Sequence, residues 1–285
     1  MLYRYLLLLL PVLLLTACPA DLEVEPAFVT VDGFQLEAGP GRGAATMDVR
    51  EVWAFADGEF IGVFPLPARI PLYRVGPVNL RLEAGIRQDG RSVTPDIYPF
   101  YTPFERSVDL QSGVTQELGE LPVTYRPETV FGFVEDFEAT TPRVFTEVLA
   151  GAGGITVQTD VVRSGAAAGA VILSDTSTLV EVATQRSYAG LSETPVNVWL
   201  EVDYRGDGLG LFGVVGTQGG LPVRVFDPGF LPRDTWTKLY VNLSPVVGSS
   251  GLAELRVALS TVLPPELARG TVYLDNLKLL YFPSR

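Results

Sequence analysis

The stretch Val196-Asn197-Val198-Trp199-Leu200-Glu201-Val202-Asp203-Tyr204-Arg205 decides the fold class, because apolar and polar side chains alternate along it. Alternation with a period of two is typical of a β-strand that has one buried face. The even-numbered residues form an apolar face, and the odd-numbered residues project from the opposite face. The stretch therefore predicts a strand that lies on a hydrophobic core.

A second stretch, Trp236–Leu243, alternates in the same way, and Leu255–Leu259 repeats the pattern with Arg256 outward. If these strands are neighbours in one sheet, two tryptophans, a tyrosine and several charges form one surface. Such a surface suits stacking on sugar rings and hydrogen bonding to hydroxyls. It also suits a protein interface, where Trp, Tyr and Arg contribute most; alternatively, loops bury the tryptophans and the charges pair in solvent. The candidate ligand-binding residues are Trp199, Glu201, Asp203, Arg205, Trp236, Lys238, Tyr240 and Asn242.

Outward from these stretches, short β-type runs separated by Gly, Pro and Asp-Gly continue through the chain. Asp57-Gly58 lies between two such runs and predicts a two-residue hairpin turn. Only 264–269 is typical of a helical turn. The 285 residues correspond to about two domains of ~150 residues. We expect an all-β protein with two β-sandwich domains, at 27–125 and 129–283, joined by a short polar linker.

Composition excludes several classes of function. The chain has no His, one Cys and two Lys, so it offers no imidazole base, no disulfide and no His-ligated zinc. A net charge of −12 without a basic run argues against nucleic-acid binding. Glu201 and Asp203 could be imagined as a glycosidase pair, but spacing on one strand does not place two carboxylates across a cleft. We expect no enzymatic activity.

The N-terminus predicts secretion. Leu6–Leu15 is too short to span a membrane and is typical of a signal peptide, here 1–17. It ends in Leu15-Thr16-Ala17-Cys18, which resembles the lipobox of bacterial lipoproteins, and the resemblance implies acylation (palmitate) of Cys18. Pro19 follows rather than Asp, which favours the outer membrane, and the acidic tether 18–26 resembles the surface-export signal of Bacteroidota lipoproteins. Attachment to the membrane through Cys18 is expected, with the cell surface slightly favoured.

Two further resemblances concern the domains. Asp57–Leu66 resembles the core hairpin of PEGA-type, immunoglobulin-like β-sandwiches, which implies a spacer or docking role. The opening Glu135-Asp136-Phe137-Glu138, the stretch Asp234–Leu243 and the closing Val272–Leu279 resemble a β-jelly roll of the carbohydrate-binding-module type. That resemblance implies a structural calcium ion on Asp136, Glu138 and Asp275, since carboxylate oxygens suit Ca²⁺. The alternative for Asp275 is a hydrogen bond to its own backbone. No other cofactor is expected.

The segment Ile97–Phe104 carries four aromatic residues, which either cover the core edge or form a docking patch. The sequence thus favours a non-catalytic, lipid-anchored outer-membrane protein that serves an outer-membrane assembly and contacts an integral outer-membrane protein. The alternative is a surface glycan-binding lipoprotein that uses the jelly roll to bind a polysaccharide.

Overall fold

The computed structural model describes residues 25–91, 93, 95–192 and 197–283. The predicted signal peptide, Cys18 and most of the predicted tether lie outside the described residues. Within the described ranges, no sheet combines strands from before and after residue 126. We therefore call 25–125 the N-terminal half and 129–283 the C-terminal half.

The described residues of the N-terminal half form ten strands in three sheets. The strands are β1 (Ala27–Val31), β2 (Gly33–Glu37), β3 (Glu51–Ala56), β4 (Glu59–Pro65), β5 (Ala68–Leu72), β6 (Gly76–Arg87), β7 (Pro95–Ile97), β8 (Phe104–Leu110), β9 (Thr115–Glu117) and β10 (Glu120–Thr124). The largest sheet has the order β4-β3-β6-β7, with β8 also on β6, and the smaller sheets are β5-β1-β9 and β10-β2. The Asp57-Gly58 hairpin is confirmed: it joins β3 to β4, and positive φ at both residues fits a type I′ turn.

In the C-terminal half, the part of the chain that the structure describes forms twelve strands and one short helix. They are β11 (Val130–Glu135), β12 (Glu147–Ala150), β13 (Thr156–Gln158), β14 (Ala168–Ser174), β15 (Leu179–Ala183), β16 (Tyr188–Ala189), β17 (Val198–Gly206), β18 (Leu209–Gln218), β19 (Leu221–Phe230), β20 (Arg233–Asn242), α1 (Ser244–Ser250), β21 (Glu254–Val262) and β22 (Arg269–Tyr281). The all-β prediction is confirmed. The helix was not predicted, and 264–268 forms turns and irregular backbone rather than a helix.

Two six-stranded antiparallel sheets pack face to face in the C-terminal half. The interface sheet, β13-β14-β22-β17-β20 with β11 on β22, faces the N-terminal half, and the outer sheet is β12-β15-β21-β18-β19 with β16 on β21. The apolar face of β17 lies in the core between the two sheets, and so do Leu239, Val241 and Leu243. The period-two prediction for β17 and β20 is therefore confirmed.

The interface sheet is buried on both of its faces. Trp199, Tyr240 and Leu280 point away from the sandwich core and belong to the hydrophobic cluster of the N-terminal half. The loop after β6 extends this contact, since the Asp89 amide donates a hydrogen bond of 2.8 Å to the carbonyl of Tyr240 on the edge strand β20. The two halves are joined by a continuous apolar and polar contact.

Candidate functional site

A cluster of ionisable side chains is buried where the halves meet. From the C-terminal half it contains Glu201, Asp203, Lys238, Tyr240 and Lys278; from the N-terminal half it contains Thr46, Tyr98, Tyr101 and Tyr125. We call this set the interface cluster. The side chains of Glu201, Asp203 and Lys278 have no exposed surface, and that of Lys238 is 1% exposed. Buried charges require partners, so the geometry of the cluster is determined by pairing.

Glu201 is the centre of the interface cluster. Lys238 Nζ lies 3.0 Å from Glu201 Oε2, and Lys278 Nζ lies 3.9 Å from the same oxygen. The Tyr98 hydroxyl donates to Glu201 Oε1 at 2.8 Å, and the Tyr125 hydroxyl contacts both carboxylate oxygens at 3.0 Å. Burial acts to raise the pKa of Glu201, but the two lysines outweigh it, and the pKa lies below its ordinary value.

The only two lysines of the chain both lie in this cluster. Burial lowers the pKa of Lys278 to about 8, while its ammonium group donates to the Ala44 carbonyl at 2.8 Å and to the Tyr125 hydroxyl at 3.1 Å. For Lys238, burial is outweighed by Glu201 and Asp203, and the pKa is raised. Each lysine thus links the two halves, because Lys238 also donates to Thr46 Oγ1 at 3.1 Å.

Asp203 extends the cluster towards the loop after β13. Its Oδ2 accepts from Thr46 Oγ1 at 2.6 Å and from Asn276 Nδ2 at 3.0 Å. Arg163 Nε lies 3.7 Å from Oδ1. The carboxylates of Glu201 and Asp203 are therefore engaged in holding the two halves together.

The predicted ligand-binding face is covered by the N-terminal half. Glu201, Asp203, Lys238 and Tyr240 come together as predicted, but inside the protein. Trp199 is 3% exposed and packs edge-on against Tyr98, with ring centroids 5.7 Å apart. Half-buried positions are found for Arg205, Trp236 and Asn242. The sequence predicted that these side chains form an outer surface, but the N-terminal half covers that surface.

The aromatic segment Ile97–Phe104 supplies much of that cover. Tyr98, Phe100 and Tyr101 are at most 2% exposed. The Tyr98 ring lies 4.7 Å from that of Tyr240, and the Tyr101 and Tyr240 hydroxyls are 3.3 Å apart. The segment is thus part of the hydrophobic core of the N-terminal half rather than an open patch, and it also contacts the C-terminal half.

The three carboxylates expected to hold calcium serve as hydrogen-bond acceptors for the backbone. Asp275 Oδ2 accepts the amides of Arg163 and Ser164, and Glu138 Oε1 accepts those of Ala166 and Ala167. Asp136 Oδ1 accepts the amide of Glu138 at 3.1 Å. Within the described ranges, no three or more Asp, Glu, Cys or His side chains form a group that could hold a metal ion. The three carboxylates therefore do not form such a group, and calcium binding at them stays a prediction.

An open cleft of about 500 Å³ lies beside the interface cluster and is walled by both halves. Asp48, Arg50, Arg87, Asp89 and Arg91 line it from the N-terminal half. The C-terminal half contributes Arg233, the threonines Thr235 and Thr237, the rings of Phe230 and Tyr240, and Leu231. We call this cavity the arginine cleft. Among the predicted residues, only Lys238 and Tyr240 line it.

The guanidinium groups of the cleft are held in different ways. Arg50 forms a fork with Asp48, with nitrogen–oxygen distances of 2.8 to 3.1 Å. Arg87 Nη2 lies 3.2 Å from Glu51 Oε1, and Arg87 Nε is buried without a hydrogen-bond partner among the described residues. Asp89 Oδ1 accepts the Asn242 amide at 2.9 Å, and burial raises the pKa of this carboxyl. The cleft therefore offers fixed, planar hydrogen-bonding groups.

No helix within the described ranges is long and apolar enough to cross a membrane.

No family model and no curated protein matches the chain. The solved structures that the chain matches include carbohydrate-binding modules. A family 30 module of a cellulosomal cellulase of Clostridium thermocellum is 15% identical, covers 55% of this chain and 99% of its own, and has a TM-score of 0.41. A family 22 xylan-binding domain from Paenibacillus barcinonensis is 14% identical, covers 56% and 99%, and has a TM-score of 0.35.

Proposed function

We propose that this chain is a non-catalytic carbohydrate-binding protein whose ligand lies in the arginine cleft. The observation that carries the proposal is the cleft itself, at about 500 Å³ between two halves that are joined by buried contacts. Ligand sites are typically ~300–1,000 Å³ and occur preferentially between domains. A pre-formed cleft also lowers the entropic cost of binding, because little has to be ordered when the ligand arrives.

The side chains of the cleft suit a polyhydroxyl ligand. A guanidinium group presents N–H donors in a fixed plane, which can reach neighbouring hydroxyls. Asp48 and Asp89 supply acceptors, and the exposed Leu231 supplies apolar surface for sugar C–H groups. Both carboxylates already hold structural hydrogen bonds, to Arg50 and to the Asn242 amide. This supports a binding role over an acid–base pair.

The accessory-subunit role that the sequence favoured has less support. It needs Ile97–Phe104 and the face around Trp199 as free contact surface, but both are used inside this chain. Glycan binding is therefore preferred, although the site differs from the strand face that the sequence suggested.

Blocking the cleft should abolish carbohydrate binding. Thr235 is exposed at the cleft wall, so Thr235→Trp places an indole in the cavity without replacing any of the arginines. We expect the full chain, in mild detergent, to bind at least one member of a panel of neutral and acidic polysaccharides by calorimetry. Thr235→Trp should weaken that binding at least tenfold, which is ~1.4 kcal/mol.

Thr217→Trp is the matched control, because Thr217 is exposed on β18 of the outer sheet. It should bind as the unmodified chain does. Binding that survives Thr235→Trp would place the ligand elsewhere, and a chain that binds no polysaccharide of the panel would refute the function.

The proposal places the protein at the outer membrane, attached through Cys18. Its support is the sequence Leu15-Thr16-Ala17-Cys18, which ends on the single cysteine of the chain. In bacteria that process lipoproteins, the mature chain should begin at residue 18, carry the mass of its acyl groups and partition into detergent. Cys18→Ser should remain in the aqueous phase. A mature chain that begins at another residue and stays in the aqueous phase would contradict lipidation.

A further inference from the structure

We propose that the arginine cleft selects acidic carbohydrates, by binding their carboxylate or sulfate groups. This inference rests on the proposed function and adds the chemical class of the ligand. It is carried by the charges of the cleft and by the way in which its arginines are held.

The cleft is basic although the protein is acidic. Four arginines and Lys238 line it against Asp48 and Asp89, whereas the whole chain has a net charge of −12. Lys238 is committed to Glu201, at 3.0 Å, so the arginines are the cations that face the cavity. At physiological ionic strength, charges are screened beyond ~8 Å. An anion inside the cleft therefore interacts mainly with the arginines and little with the distant acidic surface.

Arg50 and Arg87 keep surface that a ligand can reach, since their side chains are 52% and 36% exposed. Asp48 engages Nε and Nη2 of Arg50, and Glu51 engages Nη2 of Arg87. Arg87 Nε itself is buried and not open to a ligand, as is Glu51 Oε2 of the same ion pair, so a ligand meets the exposed part of the side chain. Planar guanidinium groups also match the geometry of carboxylate and sulfate oxygens better than they match single hydroxyls.

The arginines come from both halves of the protein. Arg50, Arg87 and Arg91 lie in the N-terminal half, and Arg233 begins strand β20 of the C-terminal half. An acidic ligand bound between them would bridge the two halves beside the interface cluster. Because the cluster fixes the halves relative to one another, the strands and loop that carry these arginines are held at one spacing.

The test compares acidic glycans with neutral counterparts of the same backbone. The probes are oligogalacturonate and its methyl ester, alginate and its methyl ester, and a sulfated galactan and its desulfated form. We expect at least one acidic member to bind the full chain at least tenfold more tightly than its counterpart in 50 mM salt. The difference should shrink in 0.5 M salt, and the preferred pair distinguishes carboxylate from sulfate.

Arg233→Gln and Arg87→Gln should each weaken binding of the acidic probe at least tenfold and leave the neutral counterpart within about twofold. Arg224→Gln, whose side chain pairs with Glu181 on the outer sheet, is the matched control and should change neither. Equal binding of acidic and neutral forms, lost together in Thr235→Trp, would overturn the acidic preference and leave the proposed function intact. Absence of binding to every probe and to the wider panel would overturn both.

Discussion

Glu201→Gln is expected to lower the free energy of unfolding by about 3–5 kcal/mol, because it leaves two buried lysines without their shared carboxylate. Glu201 is fully buried, and its Oε2 lies 3.0 Å from Lys238 and 3.9 Å from Lys278. After the substitution, the nearest carboxylate oxygen to Lys238 is that of Asp203, at 3.8 Å. The amide of Gln also lacks the second acceptor oxygen that Tyr125 contacts. The cost arises from burying charge without a partner rather than from lost volume.

Equilibrium unfolding in denaturant measures the effect, and Glu181→Gln is its control. Glu181 pairs with Arg224 on the outer sheet, where the two side chains are 13% and 43% exposed, so this ion pair keeps contact with solvent and its loss should cost less than that of Glu201. The two lysines provide a second readout, since an amine-reactive reagent can modify Lys238 and Lys278 only when the interface opens. Peptide mass spectrometry should show that the reagent modifies both lysines slowly in the chain with Glu201 and faster in Glu201→Gln. A cost no larger than that of Glu181→Gln would contradict the assigned role of the cluster.

The sequence predicted the strands well because the signal for them is local. Period-two alternation assigned Leu200 and Val202 to the core and Glu201 and Asp203 to the other face, and the structure agrees. What covers that other face is not a local property. The hydroxyls that satisfy Glu201 come from Tyr98 and Tyr125, and no spacing on one strand indicates residues so distant along the chain.

One signal for the burial was present in the sequence. Leu277-Lys278-Leu279-Leu280-Tyr281 is apolar on both faces except at the lysine, and nearly continuous apolar runs are typical of strands that are buried on both sides. In the structure, β17 lies antiparallel to β22 and pairs Glu201 with Lys278. An isolated lysine in such a run, in a chain with only two, indicates a buried ion pair more than a solvated charge.

The arginine cleft could not be predicted, since no motif connects its members. The sequence around Arg50, Arg87 and Arg91 is typical of surface positions in the N-terminal half. Arg233 stands at the polar start of a strand. They converge only because the loop after β6 binds the edge of β20, through Asp89 and the backbone of Tyr240 and Asn242. Tertiary contact alone creates the site, and a search for local motifs therefore misses it.

Trp199→Ala is expected to reduce the free energy of unfolding by about 3–5 kcal/mol, the range found for large aromatic side chains in cores. Trp199 is 3% exposed in the hydrophobic cluster that joins the two halves, where its ring packs against Tyr98. Half-buried Trp236, at the opposite end of the paired strands, is the matched control, and Trp236→Ala should cost clearly less. Denaturant unfolding of both variants makes the comparison.

The same pair of variants separates the two interpretations of this strand face. If Trp199 were a sugar-stacking platform, Trp199→Ala would lower affinity and leave stability nearly unchanged, since an exposed ring contributes little to the fold. If Trp199 instead joins the two halves, Trp199→Ala lowers the free energy of unfolding. Carbohydrate affinity, measured under conditions in which the variant is folded, then stays nearly unchanged. If Trp199→Ala loses affinity but keeps its full stability, the ligand binds at the strand face and not in the arginine cleft. Stability that is lost with affinity retained would mean that the aromatic face predicted to hold a ligand instead holds the other half of the chain.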